Sequence, residues 1–408
     1  MDEQPERISR VENFLIGLWA VFHLGFFSGG AYLIRHLTTI SAQAQLQRQE
    51  ARLATNRAEP GRTQPERPST DARPAEVRIG LYIDRVPELS IRDSHWRADL
   101  YLWLNWVEPP GQPLTPGQSL QIPSGTILSQ VLLRSITTPA GAQRQRYELY
   151  RMEIEVSKLF EVGRFPLDSH LLTLNLEDLV RPADALLWVP DTQASGVSSR
   201  VELPGYVVRE TTALAKLHTY RSNFGDPSVS ADRLTYSQFV FGILIDRADL
   251  GFYLRLFQAL FGSVAIAILA LWIKPTDVDP RFGLGVGAFF AAVANTYLGA
   301  SLLPDVGVVS LMDMINGLGM ATIFLTLTQS TISLYLYDRR GREQLARRFD
   351  KVAFGVFFLG YTCANMAIPL RALEINQRSI QSLMEFSALE NLQTKPLTNQ
   401  TVRESTIR

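Results

Sequence analysis

Residues 256–304, LFQALFGSVAIAILALWIKPTDVDPRFGLGVGAFFAAVANTYLGASLLP, contain two uncharged runs separated by one short polar turn. Leu256–Ile273 holds no Asp, Glu, Lys or Arg, and neither does Phe282–Pro304. The hydrocarbon core of a bilayer is about 30 Å thick and needs about 20 apolar residues to cross it as a helix. The stretch therefore reads as two spans joined by Lys274–Arg281. Working outward, Met314–Tyr337 and Val352–Leu370 are uncharged as well. Far upstream, Asn13–Ile34 carries one His and no other ionisable residue apart from Tyr. Four such runs within residues 250–372 leave no polar face for water, which excludes buried helices of a soluble protein. Five membrane helices are expected.

The basic loop 338–351, DRRGREQLARRFDK, sets the orientation, with six Lys/Arg against three acids. Basic loops stay cytosolic. The N-terminus is then inside, residues 75–248 are outside, and the C-terminal tail is outside. The acidic 1–12 segment and Arg35 run against the simple rule, but a large folded domain translocates with little regard to charge. The first span has an acidic leader and a long apolar run, and Ala42-x-Ala44 lies far beyond it. It reads as an uncleaved anchor rather than a signal peptide.

Lys+Arg and Asp+Glu both number 40, for a net charge of zero, which argues against a nucleic-acid partner. The lone Cys363 excludes an intramolecular disulfide and argues against a Cys-based zinc site. The five His residues show no ligand-like spacing, so neither a metal nor a cofactor is expected. Gly283-x-Gly285-x-x-Ala288 matches a dinucleotide fingerprint only superficially, because no strand precedes it and an uncharged run contains it. With no nucleophile–base pair or phosphate loop, an enzyme is not expected.

Residues 40–58 read as a short polar helix and 59–75, with four prolines, as a linker. From 76 to 246 the chain changes character. VRIGLYI, RADLYLWLNW, QRYELYRMEIEV, SHLLTLNLED, GYVVRET and TYSQFVFGILID are short β-branched and aromatic runs between turn residues. That pattern predicts an all-β sandwich or barrel. The expected fold class is an α+β membrane protein. Its parts are an anchor (1–39), a polar helix and linker (40–75), a β-sandwich (76–248), a four-helix membrane bundle (249–372) and a tail (373–408).

VRIGLYIDRVPELSIRDSHWRADLYLWLNW (77–106) resembles the first strands of the pentameric ligand-gated ion channels. Phe165-Pro166-Leu167-Asp168-x-His170 resembles the family's Phe-Pro-Phe-Asp-x-Gln loop. Leu302-Leu303-Pro304 with GVVSLMD resembles the junction of its second and third membrane helices, and Arg247 ahead of Tyr253 the basic residue before the first. The resemblance covers about residues 76–372, and the absent disulfide points to the prokaryotic branch. It implies a homopentamer in the inner membrane, gated by a small ligand or a proton and passing ions. The extra N-terminal helix departs from the simplest family plan.

Stepping along 282–304 by alternating four and three gives one stripe: Gly283, Gly287, Phe290, Ala294, Tyr297 and Ser301. Five copies would form a ring of Phe290 between small-residue rings, a hydrophobic gate. A register shift of one would substitute Phe289. The pore mouths would carry Asp277, Asp279 and Arg281 inside and Asp305 outside, leaning weakly to cations. The resemblance implies an aromatic cage between subunits, with Trp188, Tyr206, Tyr220 and Phe224 as candidates. It also makes the loop with Phe165 and Pro166 a coupling element, with Asp168 positioned to pair with Arg247. A non-conducting sensor or scaffold on the same fold is the alternative.

Overall fold

A computed structural model describes residues 8–55, 74–108, 113–141, 143–220, 222–225, 227, 234–247 and 250–393. The chain divides into two compact units. The helical unit comprises Met1–Ala42, Val162–Asp168 and Ala248–Gln377, and the two-sheet unit Gln43–Glu161, Ser169–Arg247 and Arg378–Arg408.

Among the described residues the two-sheet unit holds ten strands. β1 (Ala75–Ser90), β2 (His95–Val107), β4 (Gly125–Ala140), β5 (Gln143–Ser157), β7 (Leu186–Pro190) and β8 (Gly196–Val197) form the first sheet. Its order is β4-β5-β2-β1-β7, with β8 also on β1. Among the described residues only the β1–β7 and β1–β8 pairings are parallel. β3 (Leu120–Gln121), β6 (Ser169–Asp178), β9 (Val207–Tyr220) and β10 (Leu234–Asp246) form the second, antiparallel sheet in the order β3-β6-β10-β9. Strand periodicity sets the core. On β2, Trp96, Ala98, Leu100, Leu102, Leu104 and Trp106 are all buried, as residues two apart on one face of a strand should be.

Along β10, Phe239, Phe241, Ile243 and Ile245 bury one face. Val240 and Leu244, on the other, join Leu171 and Leu214 in a cluster with Leu53, Ile380 and Leu383. Those last three come from helices.

Among the described residues five helices are long and apolar enough to cross a membrane: α1 (Arg10–Leu53), α2 (Leu250–Leu269), α3 (Val278–Ala300), α4 (Leu311–Leu334) and α5 (Glu343–Gln393). The chain is thus a multi-pass membrane protein of mixed helix and sheet. In the helical unit α1 lies against α5, where the Trp19 ring meets Phe349 at 5.0 Å and Phe357 at 5.6 Å. At Gly360 any side chain would collide with the Phe27 ring. Arg342 donates to Glu12 at 2.6 Å, tying the starts of both helices.

Two expectations change. The separate polar helix at 40–58 is the end of α1, which continues to Leu53. The expected tail from 373 is helical to Gln393 as part of α5. Neither 40–53 nor 373–393 contains the Gly or Pro that would stop a helix. The Pro-rich part of the linker, 56–73, and the chain beyond 393 lie outside the described residues, as does part of the 218–235 loop.

Candidate functional site

α3 begins with Asp277 at its cap position, then Val278, Asp279 and Pro280. Proline fits the first turn, where its missing N–H has no carbonyl to meet. Asp279 there complements the positive end of the helix dipole. Beyond this turn the helix has two faces. Arg281, Gly285, Ala288, Ala292, Asn295 and Gly299 are buried. Gly283, Gly287, Phe290, Ala294, Tyr297 and Ser301 are all exposed in the isolated chain. Steps of about 100° per residue place the two sets on opposite sides of the helix. Phe290 is 68% exposed and Tyr297 76%, against 39% for Phe289, which lies on the flank.

The buried face is fixed by close packing. Gly285 sits under Leu327 and Gly299 under Met312, so a larger residue at either would force α4 side chains to move. Asn295 donates to Asn316 of α4 at 3.0 Å in the same interior. The small residues let the helix backbones approach closely.

Arg281 was expected at a pore mouth, and the structure corrects this. Its side chain is fully buried, donating to Asp350 of α5 through both terminal nitrogens, at 2.8 and 2.9 Å. It also donates to the Ile273 carbonyl at 2.9 Å. Ser333 completes the group, donating to Asp350 at 2.7 Å. The physical reason is phase, since position 281 falls on the buried side of α3. Asp277, Asp279 and Asp305 are exposed.

The loop 162–168 is part of the helical unit. Its Phe165–Pro166 peptide bond is cis. The carbonyls of Gly163 and Phe165 accept from the backbone N–H groups of Leu311 and Met312, at 3.0 and 3.1 Å. These are orphan donors at the start of α4, whose Ser310 and Asp313 form a reciprocal capping box. The Phe165 ring meets Phe252 edge-on at 5.9 Å, and buried Arg164 donates to Asn376 at 2.8 Å. Asp168 is fully buried. Arg247 belongs to the other unit, where it donates to the Tyr206 hydroxyl at 2.5 Å and stacks 4.3 Å above that ring.

The four aromatic candidates separate. Trp188 is buried on β7, its backbone N–H donating to Ser237 at 2.9 Å, and Tyr206 is covered by Arg247 and His170. Both serve internal packing, which corrects their expected place in a ligand cage. Tyr220 and Phe224 come together with ring centroids 5.2 Å apart, and Phe224 is well exposed. Behind them lies a buried polar group that the sequence reading missed. Glu177 accepts from His218 Nδ1 at 2.5 Å, Tyr220 at 2.6 Å and Gln238 at 2.6 Å. The signal was the two-residue spacing of His218 and Tyr220, which puts both on one face of β9.

A scan of known protein families finds no model that matches the chain, and a search of curated proteins finds no match.

Proposed function

We propose that the chain is one subunit of a homopentameric ion channel of the pentameric ligand-gated kind. In this reading the two sheets form an external sandwich that binds a small ligand or a proton. α2–α5 form the pore domain, with α3 innermost and α1 as an added anchor in the inner membrane. The observation that carries the proposal is the exposed face of α3. It combines Gly, Ala and Ser with a central Phe290 and with Tyr297 nearer its C-terminal end, and its small residues suit close approach of helices. A β-domain and four helices cannot enclose a conduit alone, and cyclic symmetry is the usual solution. Five copies with this face inward would surround the axis with Phe290, a ring from which water withdraws. With Arg281 turned into the bundle, the exposed Asp277 and Asp279 at one end of α3 and Asp305 past the other favour cations.

The test is current through the purified protein in planar bilayers. Phe290→Ser should leak without ligand, because a hydroxyl ring wets the throat, and Phe289→Ser should leak far less. Particles viewed along the membrane normal should have five-fold symmetry. If both variants form pentamers and neither conducts, the non-conducting sensor reading replaces this one.

A further inference from the structure

One face of α1 follows the loop 162–168 and its flanks. Ser41, Gln45 and Arg48 are spaced by four and three residues, which puts them on one side of the helix. Ser41 lies against Gly163, both in the helical unit, and any side chain at 163 would collide with its Oγ. In the two-sheet unit Gln45 donates to the Ser169 carbonyl at 2.8 Å, and Arg48 pairs with Glu161 at 2.8 Å. α1 therefore meets the chain just before the loop, inside it and just after it.

Within the helical unit the contacts continue to α3. The carbonyls of Gly163 and Phe165 hold the N–H groups of Leu311 and Met312 at the start of α4. Met312 in turn packs its thioether against Gly299 on the buried face of α3, where a Cβ would collide with it. Ser41, Gly163, Met312 and Gly299 thus form one contiguous series of close contacts. Densely packed interiors transmit strain, because they hold few voids to absorb a shift. A membrane anchor by itself needs no such contacts, and the apolar run of α1 ends at Ile34, short of Ser41.

We propose that α1 is a positioning element of the gate. Through Ser41, Gln45 and Arg48 it fixes the loop 162–168, and the loop fixes α3 through Met312. The inference rests on the channel reading, in which α3 lines the pore. The helix that departs from the simplest family plan is then an added control on opening.

The test uses the full chain in nanodiscs with Cys363→Ser and one reporter, Ala294→Cys on the exposed face of α3 or Gln344→Cys as a control. The rate of modification by aminoethyl methanethiosulfonate reports how open each site is to water. Gly163→Ala forces Ser41 and the loop apart. It should change the Ala294→Cys rate about threefold or more, the effect of losing a contact of ordinary strength. Ser41→Ala removes the Oγ and leaves its Cβ 3.3 Å from a methyl at 163, so adding it should return the rate to the parent value. The Gln344→Cys rate should stay constant throughout, whereas a general loosening of the fold would raise both. If Gly163→Ala does not fold, Arg48→Glu should alter the Ala294→Cys rate and added Glu161→Arg should restore it. Conduction by Phe290→Ser tests the channel reading separately, because that change leaves every α1 contact in place. In the folded pentamer, an Ala294→Cys rate untouched by Gly163→Ala or by Arg48→Glu would overturn the proposal. So would a change that the second substitution does not reverse.

Discussion

Arg281 and Asp350 bury a charge pair where α3 and α5 meet, with both guanidinium termini on one carboxylate. Removing one partner of such a pair leaves an uncompensated charge and typically costs about 3–5 kcal/mol, whereas replacing both by apolar groups is often nearly neutral. Arg281→Met alone should therefore lower the melting temperature in detergent sharply, as should Asp350→Leu. The double variant should recover most of the loss, and strict additivity in the thermal cycle would show that the pair is not coupled. Lys158 is a different case. Burial, with Arg52 nearby, pushes its ammonium down to about 7, only partly offset by Glu161, and it donates to the Leu171 carbonyl. Between about pH 7 and the unfolded value near 10.4 the unfolded chain binds more protons, so stability rises with pH across that window. Lys158→Met should thus stabilise most below about pH 7 and lose its advantage by about pH 10. Melting curves of both proteins across that range check this, and a constant gap would show that Lys158 does not titrate there. Single residues were unevenly legible in the sequence. The 3.6-residue period put Phe290 in the small-residue stripe and left Phe289, one register away, as its alternative. The same period puts Arg281 on the opposite side, but its charge drew it to a mouth because its partner lies 69 residues away on another helix.

At the scale of elements, the two longest helices were the least legible. α1 has 44 residues and α5 has 51, well over the roughly 20 needed to span a bilayer. Reading by apolar runs finds where a helix can lie in lipid, not where it ends. Beyond the apolar part of α5, LEINQRSIQSLMEFSALENLQ (373–393) is polar overall yet holds no breaker, and its Ile380 and Leu383 are buried in the two-sheet unit. The end of α1 does likewise. Lys216 of β9 donates to the Arg52 carbonyl at 2.8 Å, and Thr55 donates from its N–H to Glu390 at 3.1 Å. These helix ends are thus structural parts of the β unit. Leu383→Ala removes a side chain buried among Leu53, Leu171 and Leu244, and core truncations of this kind cost about 2–5 kcal/mol. Hydrogen exchange should quicken at 378–390 and along β10, while α3 and α4 keep their protection. Unchanged exchange at 378–390 would show that these residues do not depend on the cluster.

For the whole molecule, connectivity limits the topology. The end of α1 and the end of α5 both belong to the two-sheet unit, and β10 of that unit leads into α2. If the two-sheet unit stays out of the bilayer, as in the proposed reading, those three helix ends leave the membrane on one face. Five crossings satisfy this, with α1 running toward that face, α2 away, α3 toward, α4 away and α5 toward it. The same path puts the 338–351 loop, with its six Lys/Arg, on the opposite face together with the N-terminus. Arg342 and Glu12 pair there. In the proposed reading the basic loop stays in the cytosol and the β unit lies outside. Cys363→Ser removes the one native thiol, and a cysteine is then placed at Gln344 or at exposed Thr126 of β4. An impermeant maleimide applied to intact spheroplasts should label the Thr126→Cys protein, and should label the Gln344→Cys protein only after lysis. Labelling of Gln344→Cys from outside would invert the orientation. Labelling of both from outside would break the five-span path itself, because an even number of crossings must then separate the two positions.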